Sequence, residues 1–177
     1  LSQAVPLTLA QLVQVLYNIV DRIYLGRMPG VKEGIALTGV GLTFPIISLI
    51  AAFTNLFATG GAPLCAIARG KRDEGRALAI EATTLTMQLL NGIFCAVLFY
   101  LTRRPLLYLL GASDVTIGYA VDYLSVYLLG TVFVTMGTGM NGFINLQGYA
   151  DKAMFYMMTG AVINLILDPV FIFLLHM

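Results

Sequence analysis

Two polar residues lie close together inside an otherwise apolar stretch near the end of this sequence. Asn164 and Asp168 are four positions apart, which on a helix places their side chains on one face, one turn apart. Pro169 follows directly and cannot donate the backbone hydrogen bond that the carbonyl of Leu165 would accept. A carboxylate, an amide oxygen and a free carbonyl suit a hard cation, so this segment is a candidate cation site.

A second acid has a similar setting near the start of the chain. Gln11, Gln14, Asn18 and Asp21 fall at steps of three, four and three, so they form one polar stripe along a helix. In a membrane such a stripe must face a cavity or a helix interface, because lipid does not satisfy polar groups. Hydrogen bonding between helices also explains the glutamines, whereas a carboxylate at this depth indicates function.

Composition places both segments in a membrane protein. Of the 177 residues, 59% are hydrophobic and 11% are charged, whereas soluble domains carry about 25% charged residues. So few charges cannot cover a soluble surface of this size. A net charge of +1 gives no indication of a nucleic-acid partner. Because Leu1 is not a methionine and an apolar run leads directly to Met177, we expect a fragment of a longer protein.

Five apolar stretches are long enough to cross a bilayer as helices, since one span needs about 20 residues. They cover residues 5–25, 37–67, 78–101, 117–148 and 153–175. The second and fourth exceed one crossing but are too short for two, so each is predicted to be one long or kinked helix. Pro45, the pair Gly60-Gly61 and Pro63 are predicted kink sites in the second. Cys65 and Cys95 lie in apolar runs and are expected to be buried free thiols.

The order of the spans predicts where the two acids lie. The first and fifth spans run in the same direction, because an even number of crossings separates them. Asp21 and Asp168 both lie nearer the C-terminal ends of their spans, so they share one half of the membrane and could share one cavity. The ten lysines and arginines divide equally between the two sides, so charge does not set the orientation.

Four motifs of this chain resemble, in the same order, those of the multidrug and toxic compound extrusion (MATE) family, in its bacterial multidrug branch. The motifs are LYNIVDRIYLG (16–26), ALTGVGLTFPI (36–46), GFINLQGYADKAMFYM (142–157) and NLILDPVFIF (164–173). Members of that family have two bundles of six helices. The resemblance implies an all-α integral membrane fold, with five transmembrane helices that form most of the first bundle. It also implies a multi-pass protein of the bacterial cytoplasmic membrane with a cytoplasmic N-terminus.

The resemblance further implies roles for individual residues, with no cofactor or metal beyond a coupling ion, H⁺ or Na⁺. The expected cation-coupling residues are Asp21, Asn164 and Asp168. A supporting polar network is expected at Asn18, Tyr123 and Asn141. Helix bending is expected at Pro6 and Pro169. We also predict a substrate cavity lined by Gln11, Gln14 and Tyr17.

The leading hypothesis is a secondary antiporter, not an enzyme, that exports organic cations and amphipathic drugs in exchange for H⁺ or Na⁺. Its partners would be the lipid bilayer and a C-terminal bundle absent from these 177 residues. The alternative is a flippase for lipid-linked sugars with related bundles, which a wide cationic cavity would favour. An intramembrane aspartyl protease also needs two acids, but in YD and GxGD contexts, whereas this chain has VDR and LDP.

Overall fold

The structure, a computed structural model, describes residues 34–169 continuously and, within the first predicted span, the helical positions 8–9, 11–13, 15–16, 19–20 and 23. Side chains at positions 164 and 166–169 lie outside this description. Five helices follow one another: α1 Ile35–Gly41, α2 Phe44–Gly70, α3 Glu74–Leu109, α4 Ile117–Leu146 and α5 Ala150–Pro169.

Every regular element between residues 34 and 169 is a helix, which confirms the all-helical prediction for that range. Three of its segments are long and apolar enough to cross a membrane: Ile35–Gly70, Glu74–Leu109 and Ile117–Leu146. The first predicted span falls mostly outside the described residues. The apolar residues 170–175 at the end of the fifth also lie outside them.

The second predicted span is interrupted near its start, between α1 and α2. Pro45 has no N–H for the carbonyl of Gly41, so the helical ladder cannot continue there. The chain forms a turn there instead, in which the backbone N–H and the hydroxyl of Thr43 both donate to the carbonyl of Val40, at 3.0 and 2.7 Å. The other predicted kink sites, Gly60-Gly61 and Pro63, lie inside the uninterrupted α2.

Helix α3 extends beyond the predicted span 78–101 at both ends. It begins with Asp73, whose carboxylate accepts the backbone N–H of Arg76 at 3.0 Å. It continues past Arg103, whose guanidinium donates to the carbonyl of Tyr100 at 2.6 Å and lies 3.8 Å from the centre of that ring. Its 36 residues span about 54 Å, so both ends leave a hydrocarbon core of about 30 Å.

Three helices end in the same turn geometry. After α2, α3 and α4, the chain enters the left-handed region at Arg72 (φ 59°), Gly111 (φ 97°) and Gly148 (φ 90°). In each turn the next N–H donates to a carbonyl of the last helical turn, as from Asp73 to Ala68 at 3.0 Å. Glycine adopts this conformation without strain, so the arginine at the end of α2 is the exception.

Helices α2, α3 and α4 enclose two apolar clusters. One packs Ile50 of α2 against Phe99 of α3 and Leu124 of α4. The other, at the opposite end of α2, packs Cys65 against Ala77 and Phe143. Between them, in the middle of the three helices, lies what we call the polar layer, six buried side chains: Thr54, Thr84, Gln88, Asn91, Thr131 and Thr135.

Cys65 and Cys95 are both buried and free, as their apolar surroundings predict. The thiol of Cys65 donates to the carbonyl of Ala77 at 3.6 Å, which links α2 to α3. The thiol of Cys95 donates to the side-chain oxygen of Asn91 at 3.7 Å within α3. Because both thiols are shielded, a thiol-reactive dye reports the loss of this packing.

We expect Arg72→Gly to stabilise the protein, since it removes a left-handed arginine that costs roughly 1 kcal/mol. The opposite change, Gly148→Ala, should destabilise it, because alanine meets the same strain there. The measurement is thermal unfolding of the full-length protein in detergent. The reaction of Cys65 and Cys95 with the thiol-reactive dye reports the unfolding. A lower unfolding temperature for Arg72→Gly would contradict the assigned turn.

Candidate functional site

The backbone of α5 presents the predicted cation ligands as the sequence requires. The helix is continuous from Ala150 to Pro169, so positions 164 and 168 are one turn apart on one face. Pro169 is its last residue, and the carbonyl of Leu165 therefore lacks the usual donor four residues on. The side chains of Asn164 and Asp168 lie outside the described residues, and their role as ligands stays a prediction.

Most predicted site residues of the first span cannot be compared with the structure. Outside the described residues lie Pro6, Gln14, Tyr17, Asn18 and Asp21. Gln11 is described, and it is helical and exposed in this chain. The shared cavity expected for the acids of the first and fifth spans therefore stays a prediction.

Asn141 of α4 contacts the first turn of α5, at the opposite end of that helix from Asp168. Its amide donates to the carbonyl of Ala153 at 3.3 Å, and its oxygen accepts from the amide of Asn145 at 2.8 Å. Ala153 precedes Asp168 by 15 positions, which is roughly 22 Å along a helix. Asn141 therefore fastens the start of α5 to α4, and this distance does not allow it to hydrogen-bond that carboxylate directly.

Tyr123 lies at the other end of α4, where it is half-buried. It precedes Asn141 by 18 positions, roughly 27 Å along the helix axis. Counted along the two helices from the bond between Asn141 and Ala153, Tyr123 is roughly 27 Å away on α4 and Asp168 roughly 22 Å away on α5. The membership of Tyr123 and Asn141 in the polar network of the predicted cation site stays a prediction.

The polar layer is a feature that sequence reasoning missed. Thr84, Gln88 and Asn91 follow steps of four and three along α3, and Thr131 and Thr135 are four apart on α4, so each set lies on one helix face. That periodicity was present in the sequence. The pairing of the two faces depends on contacts between segments about 45 positions apart. A local sequence pattern does not predict such a pairing.

Glycines let these polar side chains enter the helix contacts. Gln88 of α3 lies against Gly139 of α4, where an added Cβ would overlap the glutamine amide. One turn along, the glycine is on α3 and the polar side chain is on α4. A Cβ at Gly92 of α3 would lie 2.6 Å from the hydroxyl oxygen of Thr135 of α4. Small residues that admit a close neighbour are a typical device of helix packing in membranes.

The hydrogen-bonding capacity of the polar layer is only partly used. The hydroxyls of Thr54, Thr131 and Thr135 donate to carbonyls of their own helices at 2.9–3.1 Å. Both amide atoms of Gln88 and the amide nitrogen of Asn91 are buried with no hydrogen-bond partner among the described residues. Buried amides in this state are costly, at about 1–3 kcal/mol each.

The chemistry open to this layer is hydrogen bonding and not charge balance. Its six side chains are hydroxyls and carboxamides without a formal charge. Residues 34–163, like the other described positions, hold no group of three histidine, cysteine or acidic side chains placed to bind a metal. The carboxylates predicted as cation ligands, Asp21 and Asp168, are not part of this layer.

Long apolar helices around a polar interior define a multi-pass membrane protein. The family model described as MatE matches residues 6–170. The multidrug export protein MepA of Staphylococcus haemolyticus is 28% identical over 174 residues, which are 98% of this chain and 38% of that protein. The probable multidrug resistance protein YoeA of Bacillus subtilis is 28% identical over 168 residues, or 95% of this chain and 36% of that protein.

A solved structure agrees with these matches. An outward-facing multidrug resistance MATE family transporter of the MOP superfamily superposes with a TM-score of 0.89 and 28% identity, over 97% of this chain and 37% of that one. The chain belongs to the MatE family, a family of membrane transporters and not of enzymes. It spans a little over a third of the length of these relatives.

We expect Gly139→Ala to lower the unfolding temperature, because the added methyl group displaces Gln88. Adding Gln88→Ala should restore part of the loss, with a coupling free energy of about 0.5–3 kcal/mol in a double-mutant cycle. Gly137→Ala on the same helix is the matched control, since a Cβ there meets open space. Equal effects at positions 137 and 139, or a strictly additive double mutant, would contradict the contact.

Proposed function

We propose that this protein is a secondary antiporter that exports cationic or amphipathic small molecules in exchange for inward-moving H⁺ or Na⁺. The observation that carries the proposal is the unbroken α5, which sets Asn164 and Asp168 one turn apart beside a proline, in a chain of the MatE family. Relatives named for multidrug export support the substrate class. The same relatives are more than two and a half times as long, which supports a second bundle as the partner of this one.

In the proposed mechanism, the coupling ion binds at Asp168 and Asn164 together with Asp21 of the first span. A carboxylate in the membrane is costly when charged, so binding a proton or Na⁺ stabilises one packing of the helices over the other. The substrate and the ion need not touch. Each has only to prefer a different conformation, and the coupling is the difference between those preferences.

The structure offers α5 a fixed point for such a change. Its first turn is held to α4 by Asn141 and Ala153, roughly 22 Å from the acid. Neutralising the acid would therefore act on the end of α5 that is remote from this attachment. The flippase alternative gains no support from the polar layer, which contains no arginine or lysine to hold a polyanionic head group.

We expect Asp168→Asn to reduce efflux of a fluorescent cationic dye by roughly tenfold or more, because an uncharged amide cannot bind and release the coupling ion. Efflux would be measured in a drug-hypersensitive bacterium that carries the complete gene, at matched membrane abundance. Asp151→Asn, an exposed acid in the first turn of the same helix, is the control and should pump normally. Proteoliposomes with only a proton or only a Na⁺ gradient then identify the ion.

Two outcomes would count against this proposal. Equal pumping by wild type and Asp168→Asn would show that Asp168 is structural and leave Asp21 as the coupling acid. Absence of dye efflux from the wild type, with the protein present in the membrane, would exclude this class of cationic substrate. The lipid-linked sugar flippase would then be the leading reading.

A further inference from the structure

An apolar groove runs along the outer side of α2 and α3. Its volume is about 430 Å³. Leu56, Gly60 and Leu64 of α2 form one wall, and Ile80 and Met87 of α3 form the other. Leu56 and Leu64 are 65% and 56% exposed, so the wall that α2 forms is open to the outside.

Two adjacent glycines create this groove. Gly61 points inward, where Thr84 lies so close that an added Cβ would overlap it, and this contact draws α2 and α3 together. Gly60 points outward, and a Cβ there meets nothing within 4 Å. A side chain at position 60 would therefore project into the groove and occupy part of it.

One end of the groove is cationic and the other is apolar. Arg76, in the first turn of α3, lines one end, and Met87 lines the other. The 11 positions between them correspond to roughly 16 Å of helix, about half of a hydrocarbon core of about 30 Å. The groove therefore runs from one membrane interface to the middle of the bilayer, the depth of a single leaflet.

Positive charge at this interface is only partly neutralised. Arg69 pairs with Glu81 at 3.2 Å, and the Asp73 carboxylate is engaged as the cap of α3. Arg76 and its exposed neighbours Lys71 and Arg72 form no salt bridge among the described residues, with Glu74 as the remaining acid nearby. The start of α3 adds the positive end of a helix dipole, which also favours an anion.

We propose that this groove binds an anionic glycerophospholipid, with one acyl chain along Gly60 and the phosphate at Arg76, Lys71 and Arg72. Basic pockets between transmembrane helices are typical sites for anionic head groups. An organic cation would be repelled by Arg76, so the groove is not a second site for the proposed export substrate. It also lies in the opposite half of the membrane from Asp168, because α5 starts on the side where α2 ends.

The test is native mass spectrometry of the full-length protein. The protein is released from detergent that contains either dioleoylphosphatidylglycerol or dioleoylphosphatidylethanolamine. Wild type should retain the phosphatidylglycerol and not the phosphatidylethanolamine. Gly60→Leu fills the groove and Arg76→Gln removes the phosphate ligand, and each should weaken retention by roughly fivefold or more. Arg104→Gln, an exposed arginine near the other end of α3, is the matched control and should retain lipid as wild type does.

Three results would overturn the proposal: equal retention of both lipids, wild-type retention by both groove variants, or no retention by the wild type. The last would indicate that another helix of the longer protein covers the groove. Dye unfolding checks that each variant is folded, and Arg76→Gln tests the site if Gly60→Leu does not fold. The proposal is independent of the transport function, because neither variant alters the coupling residues.

Discussion

The described bundle depends on the close approach of α3 to α4, where Gln88 lies against Gly139 and Gly92 lies against Thr135. Within lipid, burying apolar side chains gives helices little reason to associate, since the tails are equally apolar. Association instead requires close packing and groups that lipid cannot satisfy. The two glycines supply the close packing, because each admits a polar side chain of the facing helix, and these contacts fix the height at which α3 and α4 meet.

The rest of the bundle follows from that contact. Gly61 against Thr84 brings α2 to the same level, so the three helices share one polar layer with an apolar cluster at each end. The outward-facing Gly60 beside it leaves the groove. Helix α5 joins this frame through Asn141 and Ala153, at the end away from its acid. The proposed lipid site and the proposed coupling site thus lie in opposite halves of the membrane.

Several features could be predicted because they are local. Apolar length and scarce charge identify helices that cross a membrane, and spacing alone places Asn164 and Asp168 on one face. Boundaries were harder. The prediction ended the third span at Leu101, but α3 continues for two more turns to Leu109, and Arg103 stacks on Tyr100 within this extension. Glycine marks the ends of α3 and α4, whereas Arg72 gave no such signal for α2.

The sequence by itself determined the membrane class, because length and composition are properties of single segments, and its motifs indicated the family. It also predicts the cation ligands, because helical period places Asn164 and Asp168 on one face. Only the tertiary structure decided that the polar faces of α3 and α4 meet, that Asn141 binds the start of α5, and that Gly60 opens a groove while Gly61 closes a contact. The physical reason is that these outcomes depend on how helices cross. The angle and the height at which two helices cross are set jointly by side chains that are far apart in the chain.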